Sequence, residues 1–333
     1  MRRVLKYLLY ALGIVVVLAL CFVGYYAMKW PPKFPDAPLP DIEASDDPTV
    51  VARGAYLVNA VAHCSACHSP IDEYTGAKPG EVVAPKGGHE WHMGPLGTIR
   101  SANITPDDET GIGKVSDGHV ARAIRHGVRA DDVGALFMMS VGPMSDEDLT
   151  AIVSYLRSIP GVKNDVADHE IGIMGKVLFQ TAMGFFAEPH DYDRIMPEFV
   201  KESDTPSVGR GKYLAEGPGF CAGCHSDYEY DEQIEFVGQL NSGNKQGFVD
   251  EADPDFSYYA PNLTPQEGTG QIADWTEEQF LARMKQGRVY ATSPMPWESY
   301  WNMTDADLKS IWMYLRQLPP TEKDIGESRR KGD

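Results

Sequence analysis

The chain is short of basic residues, of cysteine and of long apolar runs. Lys and Arg number 30 against 48 Asp and Glu, giving a formal net charge of −18 over 333 residues. A phosphate backbone is bound by a basic face, so this balance argues against nucleic acid as the main partner. It fits a partner with a basic docking patch, or serves solubility alone. Cysteine occurs only five times. Four of the five form two pairs, and no second pair stands beside either, which weighs against a four-ligand zinc site. One apolar run is long enough to cross a bilayer, whereas 171–186 is too short and too broken. Core-forming residues are not scarce. With 43% hydrophobic and 10% aromatic residues, wholesale disorder is excluded, and the length suggests about two domains.

Tyr7 to Met28 carries no charge over 22 residues, about 33 Å as a helix. Arg2, Arg3 and Lys6 precede it, so the positive-inside rule places the N-terminus in the cytoplasm and the bulk of the chain across the membrane. A cleaved signal peptide would have a shorter apolar core ending at a small-x-small site, which 25–30 does not offer. An uncleaved anchor is therefore expected over 1–30, with Cys21 an inert thiol inside it. Residues 31–48, rich in Pro and Asp, read as an extended spacer.

The remainder repeats itself. Arg53-Gly54-Ala55-Tyr56-Leu57 starts 11 residues before Cys64, and Arg210-Gly211-Lys212-Tyr213-Leu214 starts 11 before Cys221. Asn103-Ile104-Thr105-Pro106 is matched by Asn262-Leu263-Thr264-Pro265. Ser145 to Leu149 matches Thr304 to Leu308, and each begins an apolar helix that reaches Tyr-Leu-Arg and is stopped by Pro160 or Pro319. Two copies imply tandem domains rather than a solenoid, which needs three or more. The reading is 49–163 for the first, 164–203 for a connecting segment, 204–320 for the second and 321–333 for a charged tail. Each copy reads as helical: a short helix into the cysteine pair, a Gly/Pro-rich loop, a middle helix (116–126, 276–286) and a last helix. Ser or Thr caps start these helices, and Gly127 and Gly287 stop the middle ones.

The paired cysteines carry the chemistry. Cys64-Ser65-Ala66-Cys67-His68 and Cys221-Ala222-Gly223-Cys224-His225 are both C-x-x-C-H strings, and chance supplies one such string roughly 0.002 times in this composition. Two thiols one helical turn apart suit thioether bonds to the two vinyl groups of a haem, and the histidine then lies under the iron. A redox dithiol is the competing reading, and the immediate histidine in both copies argues against it. The second axial ligand of an electron-transfer haem is usually methionine. Met295, stiffened by Pro296, is the candidate in the second copy. Met139 is the candidate in the first, with Met138 the alternative. Met144 and Met303 open the last helices and are assigned to the core. His63, His92, His119 and His126 are read as surface or packing residues, with His92 or His126 in reserve as ligands.

These motifs resemble the bacterial membrane-bound c-type cytochromes related to the cytochrome subunit of alcohol and gluconate dehydrogenases. The likeness rests on Arg-Gly-x-Tyr-Leu before C-x-x-C-H, Gly97-Thr98-Ile99 leading to Asn103-Ile104-Thr105-Pro106, Thr110-Gly111-Ile112-Gly113, and Met139 followed by Met144-Ser145-Asp146-Glu147-Asp148-Leu149. It implies an all-α fold of two tandem class I cytochrome c-like domains behind one transmembrane helix. It also implies two covalently bound haem c groups and electron transfer in the periplasm from a dehydrogenase toward quinone or a terminal oxidase. Dehydrogenase subunits of this kind carry three haem motifs and a cleaved signal, whereas two motifs and an apparent anchor stand here. The leading expectation is an electron carrier rather than an enzyme, with His68/Met139 and His225/Met295 closing both irons. The alternatives are a dihaem redox enzyme, peroxidase-like or thiosulfate-oxidising, with an open first haem, and a structural subunit that anchors a larger complex.

Overall fold

A computed structural model describes residues 2–136, 144–183, 205–230, 234–250 and 252–332. Helix α1 (Arg2–Lys29) has no buried residue. Among the described residues it is the one helix long and apolar enough to cross a membrane, by length and composition. The segment after it is extended but docked. Phe34 N bonds Asp132 O at 2.7 Å, Ser45 N bonds Ser154 Oγ at 2.8 Å, and Ile42 is buried.

The first half continues with α2 (Pro48–Tyr56), α3 (Cys64–Cys67), α4 (Ile71–Gly76), β1 (Glu90–His92), β2 (Gly97–Arg100), α5 (Asp117–His126) and α6 (Asp146–Ser158). β3 (Glu170–Ile171) and α7 (Ile173–Leu178) follow. The second half holds α8 (Val208–Glu216), α9 (Cys221–His225), β4 (Asp227–Tyr230), β5 (Ile234–Val237), β6 (Phe248–Val249), β7 (Phe256–Tyr258), α10 (Glu277–Gln286), α11 (Trp297–Tyr300), α12 (Asp305–Leu315) and β8 (Arg329–Lys331).

Capping explains most helix ends. Ser116, Ser145, Ser207 and Thr304 each accept a backbone N–H of the first turn, and Thr276 with Gln279 forms a reciprocal capping box. Gly127 ends α5 in the left-handed conformation at φ 65°.

The two halves repeat the same crossing. α2 lies on α6 and α8 on α12, and the contact is made by backbone. A Cβ on Gly54 would stand 1.8 Å from Ala151 O, and one on Gly211 1.8 Å from Ser310 O. Only glycine permits that approach. Leu57, Leu149, Ile152 and Leu156 from the first half, and Leu214, Leu308 and Leu315 from the second, belong to one continuous apolar core. Met144 and Met303 are buried in it, as their spacing implied.

The fold is not purely helical. Three small antiparallel sheets stand beside the helices: β1-β2-β3, β4-β5 and β6-β7-β8. The first and third lie largely within stretches that read as loops or tails, because strands of two to four residues flanked by Gly and Pro show no alternation to detect. The segment after 164 is likewise integrated: β3 extends the β1-β2 hairpin, and Phe179 is fully buried near Trp30, ring centroids 6.1 Å apart. The charged tail is packed, with Arg329 on Asp250 at 2.8 Å and the Arg330 guanidinium 3.4 Å from the centre of the Tyr259 ring.

Candidate functional site

In the second half, Phe220 takes a left-handed conformation (φ 42°) that turns the chain into α9. One helical turn then carries Cys221 and Cys224 on the same face, with His225 at its end. His225 Nδ1 donates to Pro261 O at 2.9 Å. This fixes the ring and its tautomer and leaves Nε2 as the lone-pair nitrogen. In the first half His63 (φ 41°) precedes α3 in the same way, and His68 Nδ1 donates to Ala102 O at 2.8 Å.

The Asn-x-Thr-Pro strings explain how those carbonyls are held. Ala102 immediately precedes Asn103, and Pro261 immediately precedes Asn262. Asn103 Oδ1 accepts Thr105 N at 3.0 Å and Thr105 Oγ1 at 2.7 Å, while its Nδ2 donates to Val162 O at 2.7 Å. Asn262 repeats this with Thr264 N at 2.9 Å, Thr264 Oγ1 at 2.8 Å and Thr321 O at 2.9 Å. Both Asn–Thr pairs are buried. Their role is to aim the carbonyl that aims the histidine.

A cavity of about 370 Å³ brings together Cys221, Cys224, His225 and Met295, with Trp275, Phe280 and Met284 among its apolar walls. Met295 thus lines the same cavity as the second motif. The loop that carries it is braced by residues the sequence reading passed over. Arg288 holds Glu298 through two bonds of 2.7 Å, also donates to Ser293 O, and lies 3.4 Å from Met295 O. Glu298 is buried, so its charge is stabilised only with that partner. Met138 and Met139 lie outside the described residues.

Burial pushes the thiols of Cys64 and Cys221 up to about 12 and that of Cys67 to about 11. A redox dithiol needs a depressed value instead. Among the described residues no three His, Cys, Asp or Glu side chains converge as a zinc site requires. His92 is exposed and His119 bonds the Ser116 hydroxyl, as surface residues do. His63 is of the packing kind. It is buried, burial lowers it to about 4, and it lines the second cavity.

The two motifs are joined by a reciprocal latch that no local pattern in the sequence reveals. Arg53 clasps Asp148 of its own half at 2.8 and 2.7 Å, and Arg210 clasps Asp307 of its own half. The tyrosines of the same motif cross over. Tyr56 donates to Asp307 Oδ2 at 2.5 Å, and Tyr213 donates to Asp148 Oδ2 at 2.5 Å. Both aspartates are fully buried. Burial, reinforced by the facing carboxylate, pushes both phenols well above their ordinary value.

No family model matches the chain. It is similar to the cytochrome c subunit of quinone-dependent alcohol dehydrogenase from Gluconacetobacter polyoxogenes, 28% identical over 296 residues, 84% of this chain and 58% of that protein. It is similar to the gluconate 2-dehydrogenase cytochrome c subunit of Pantoea cypripedii, 30% identical over 294 residues, 85% of this chain and 62% of that protein. It is also similar to a dihaem c-type cytochrome of Cereibacter sphaeroides, 24% identical over 287 residues, 78% of this chain and 83% of that protein. The chain spans less than two thirds of the length of these two dehydrogenase subunits. Over most of its own length it is a relative of cytochrome c subunits of dehydrogenases and of a dihaem cytochrome c, as its motifs implied.

Proposed function

We propose that this chain is a membrane-anchored, periplasmic dihaem cytochrome c that carries electrons from a dehydrogenase or a quinol-linked donor to a respiratory acceptor. The observation that carries the reading is the cavity at the second motif, where two cysteines one turn apart, an oriented histidine and a braced methionine line one apolar volume. The residues fit a haem.

When bound, a haem c supplies a one-electron change at its iron, tuned by axial ligand and burial. Cys64 and Cys67, and Cys221 and Cys224, would hold it covalently. His68 and His225 would hold the iron through Nε2, together with Met139 and Met295. The Pro261 and Ala102 carbonyls keep each histidine in one tautomer, and the apolar walls exclude water. A haem held in this way by protein side chains would leave its iron no place for substrate, so the chain acts as the electron-transfer part of a larger oxidoreductase rather than as its catalyst. The two halves are the two haem domains, α1 is the single-pass anchor in the cytoplasmic membrane, and redox proteins are the partners.

The test is the haem content of the purified full chain, read as its alkaline pyridine spectrum against protein mass. Two thioether-linked haems per chain support the proposal, falling to one in Cys221→Ser/Cys224→Ser. No covalent haem would overturn it.

A further inference from the structure

We propose that His63, the residue before the first cysteine motif, is part of the second haem site, so that this site is complete only with the first half docked upon it. The proposal rests on the haem reading above. His63 is only 5% exposed. With Val61 it lines the cavity that also holds Cys221, Cys224, His225 and Met295. Its ring meets that of Tyr300 edge-on, centroids 5.9 Å apart, and Tyr300 lines the same cavity. The first motif therefore contributes a polar ring to the wall of the second site.

Its orientation gives that ring a sign. Nδ1 lies 3.0 Å from Val61 O. A carbonyl only accepts, so Nδ1 carries the proton and Nε2 is the lone-pair nitrogen. The negative end of this dipole favours the more positive, oxidised state of a neighbouring redox centre. The matching residue, Phe220, takes the same left-handed turn (φ 42°) with an apolar ring. The turn itself therefore does not demand an imidazole, and the asymmetry between the two halves calls for another reason. The surrounding seam is fixed by Tyr74 OH to Ser299 Oγ at 2.9 Å and by Gly80 N to Asn302 Oδ1 at 3.0 Å, besides the crossed tyrosines.

The test is a potentiometric titration of the full haem-loaded chain followed by visible absorbance. The second haem is identified as the wave displaced by Met295→His. His63→Phe, which installs the residue of the other motif, raises the second wave by about tenfold in reduction equilibrium, ~59 mV for one electron. The first wave stays in place, and His63→Gln, which keeps a polar acceptor, restores the second toward its original position. A first wave that moves while the second does not, or two waves that both stay, would overturn the proposal. If His63→Phe does not keep both haems, mass spectrometry of the haem peptides decides. Loss from Cys221/Cys224 supports the proposal, and loss from Cys64/Cys67 overturns it. An unaltered chain without covalent haem contradicts the underlying haem reading instead.

Discussion

Replacing Tyr56 and Tyr213 by phenylalanine removes the crossed bonds and the acceptors of two backbone N–H groups. Each phenol donates to a fully buried carboxylate at 2.5 Å. A hydrogen bond to a charged group contributes about 1.5–3 kcal/mol, and each aspartate keeps its own arginine. Each phenol oxygen also accepts a backbone N–H, Thr304 at 3.1 Å and Ser145 at 3.3 Å, which Phe leaves without that partner. Either single change should therefore cost about 1.5–3 kcal/mol, and the pair more than either alone, with a departure from the simple sum because Arg53 interacts with both Tyr213 and Asp307. The assay is denaturant unfolding of the haem-loaded chain in detergent, followed by the visible band. The pH dependence supplies a second readout. In the folded chain both phenols stay protonated above their ordinary value of about 10, whereas in the unfolded chain they ionise there. Their contribution is thus complete below about pH 10 and is lost as pH rises through the raised folded values. The double variant should show a shallower alkaline decline. Single variants within about 0.5 kcal/mol of the parent, the range of ordinary surface changes, would refute the latch.

Three further outcomes follow from the same geometry. Gly54→Ala and Gly211→Ala place a Cβ 1.8 Å from a carbonyl oxygen, so each should cost about 1–3 kcal/mol or more, measured by thermal unfolding. Asn262→Ala removes the side chain that fixes the loop after Pro261, costing about 1–3 kcal/mol through the buried groups left unpaired. It should also broaden the low-spin signals of the second haem in magnetic resonance while leaving the first unchanged. Arg288→Lys cannot reproduce the two-bond clasp on Glu298, so the Met295 loop should loosen and the second haem should bind carbon monoxide where the parent does not.

Much of the site was legible because its chemistry is local. C-x-x-C-H is one helical turn, and the caps at Ser145 and Thr304 are short-range patterns with one physical meaning. Pairing the two copies also picked out Met295, which the fold brings to His225 across 70 residues of chain. What escaped is what depends on distant partners. Tyr56 shares a motif with Arg53, yet its acceptor lies 251 residues away. Arg288 and Glu298 carry no motif, and only their burial together shows them as a single brace. His63 read as a surface or packing residue because the wall it belongs to is built mainly by the other half. The short strands escaped for another reason: two to four residues of extended chain carry too little periodicity to detect.

The most direct measurement is the far-red absorption band of methionine-bound ferric haem in the purified oxidised chain, compared with Met295→Ala. The account predicts a ferric band equivalent to two haems, halved by the substitution, and a reduced spectrum that added carbon monoxide leaves unchanged. A band untouched by Met295→Ala would contradict the assignment of the second cavity as a His225/Met295 haem site.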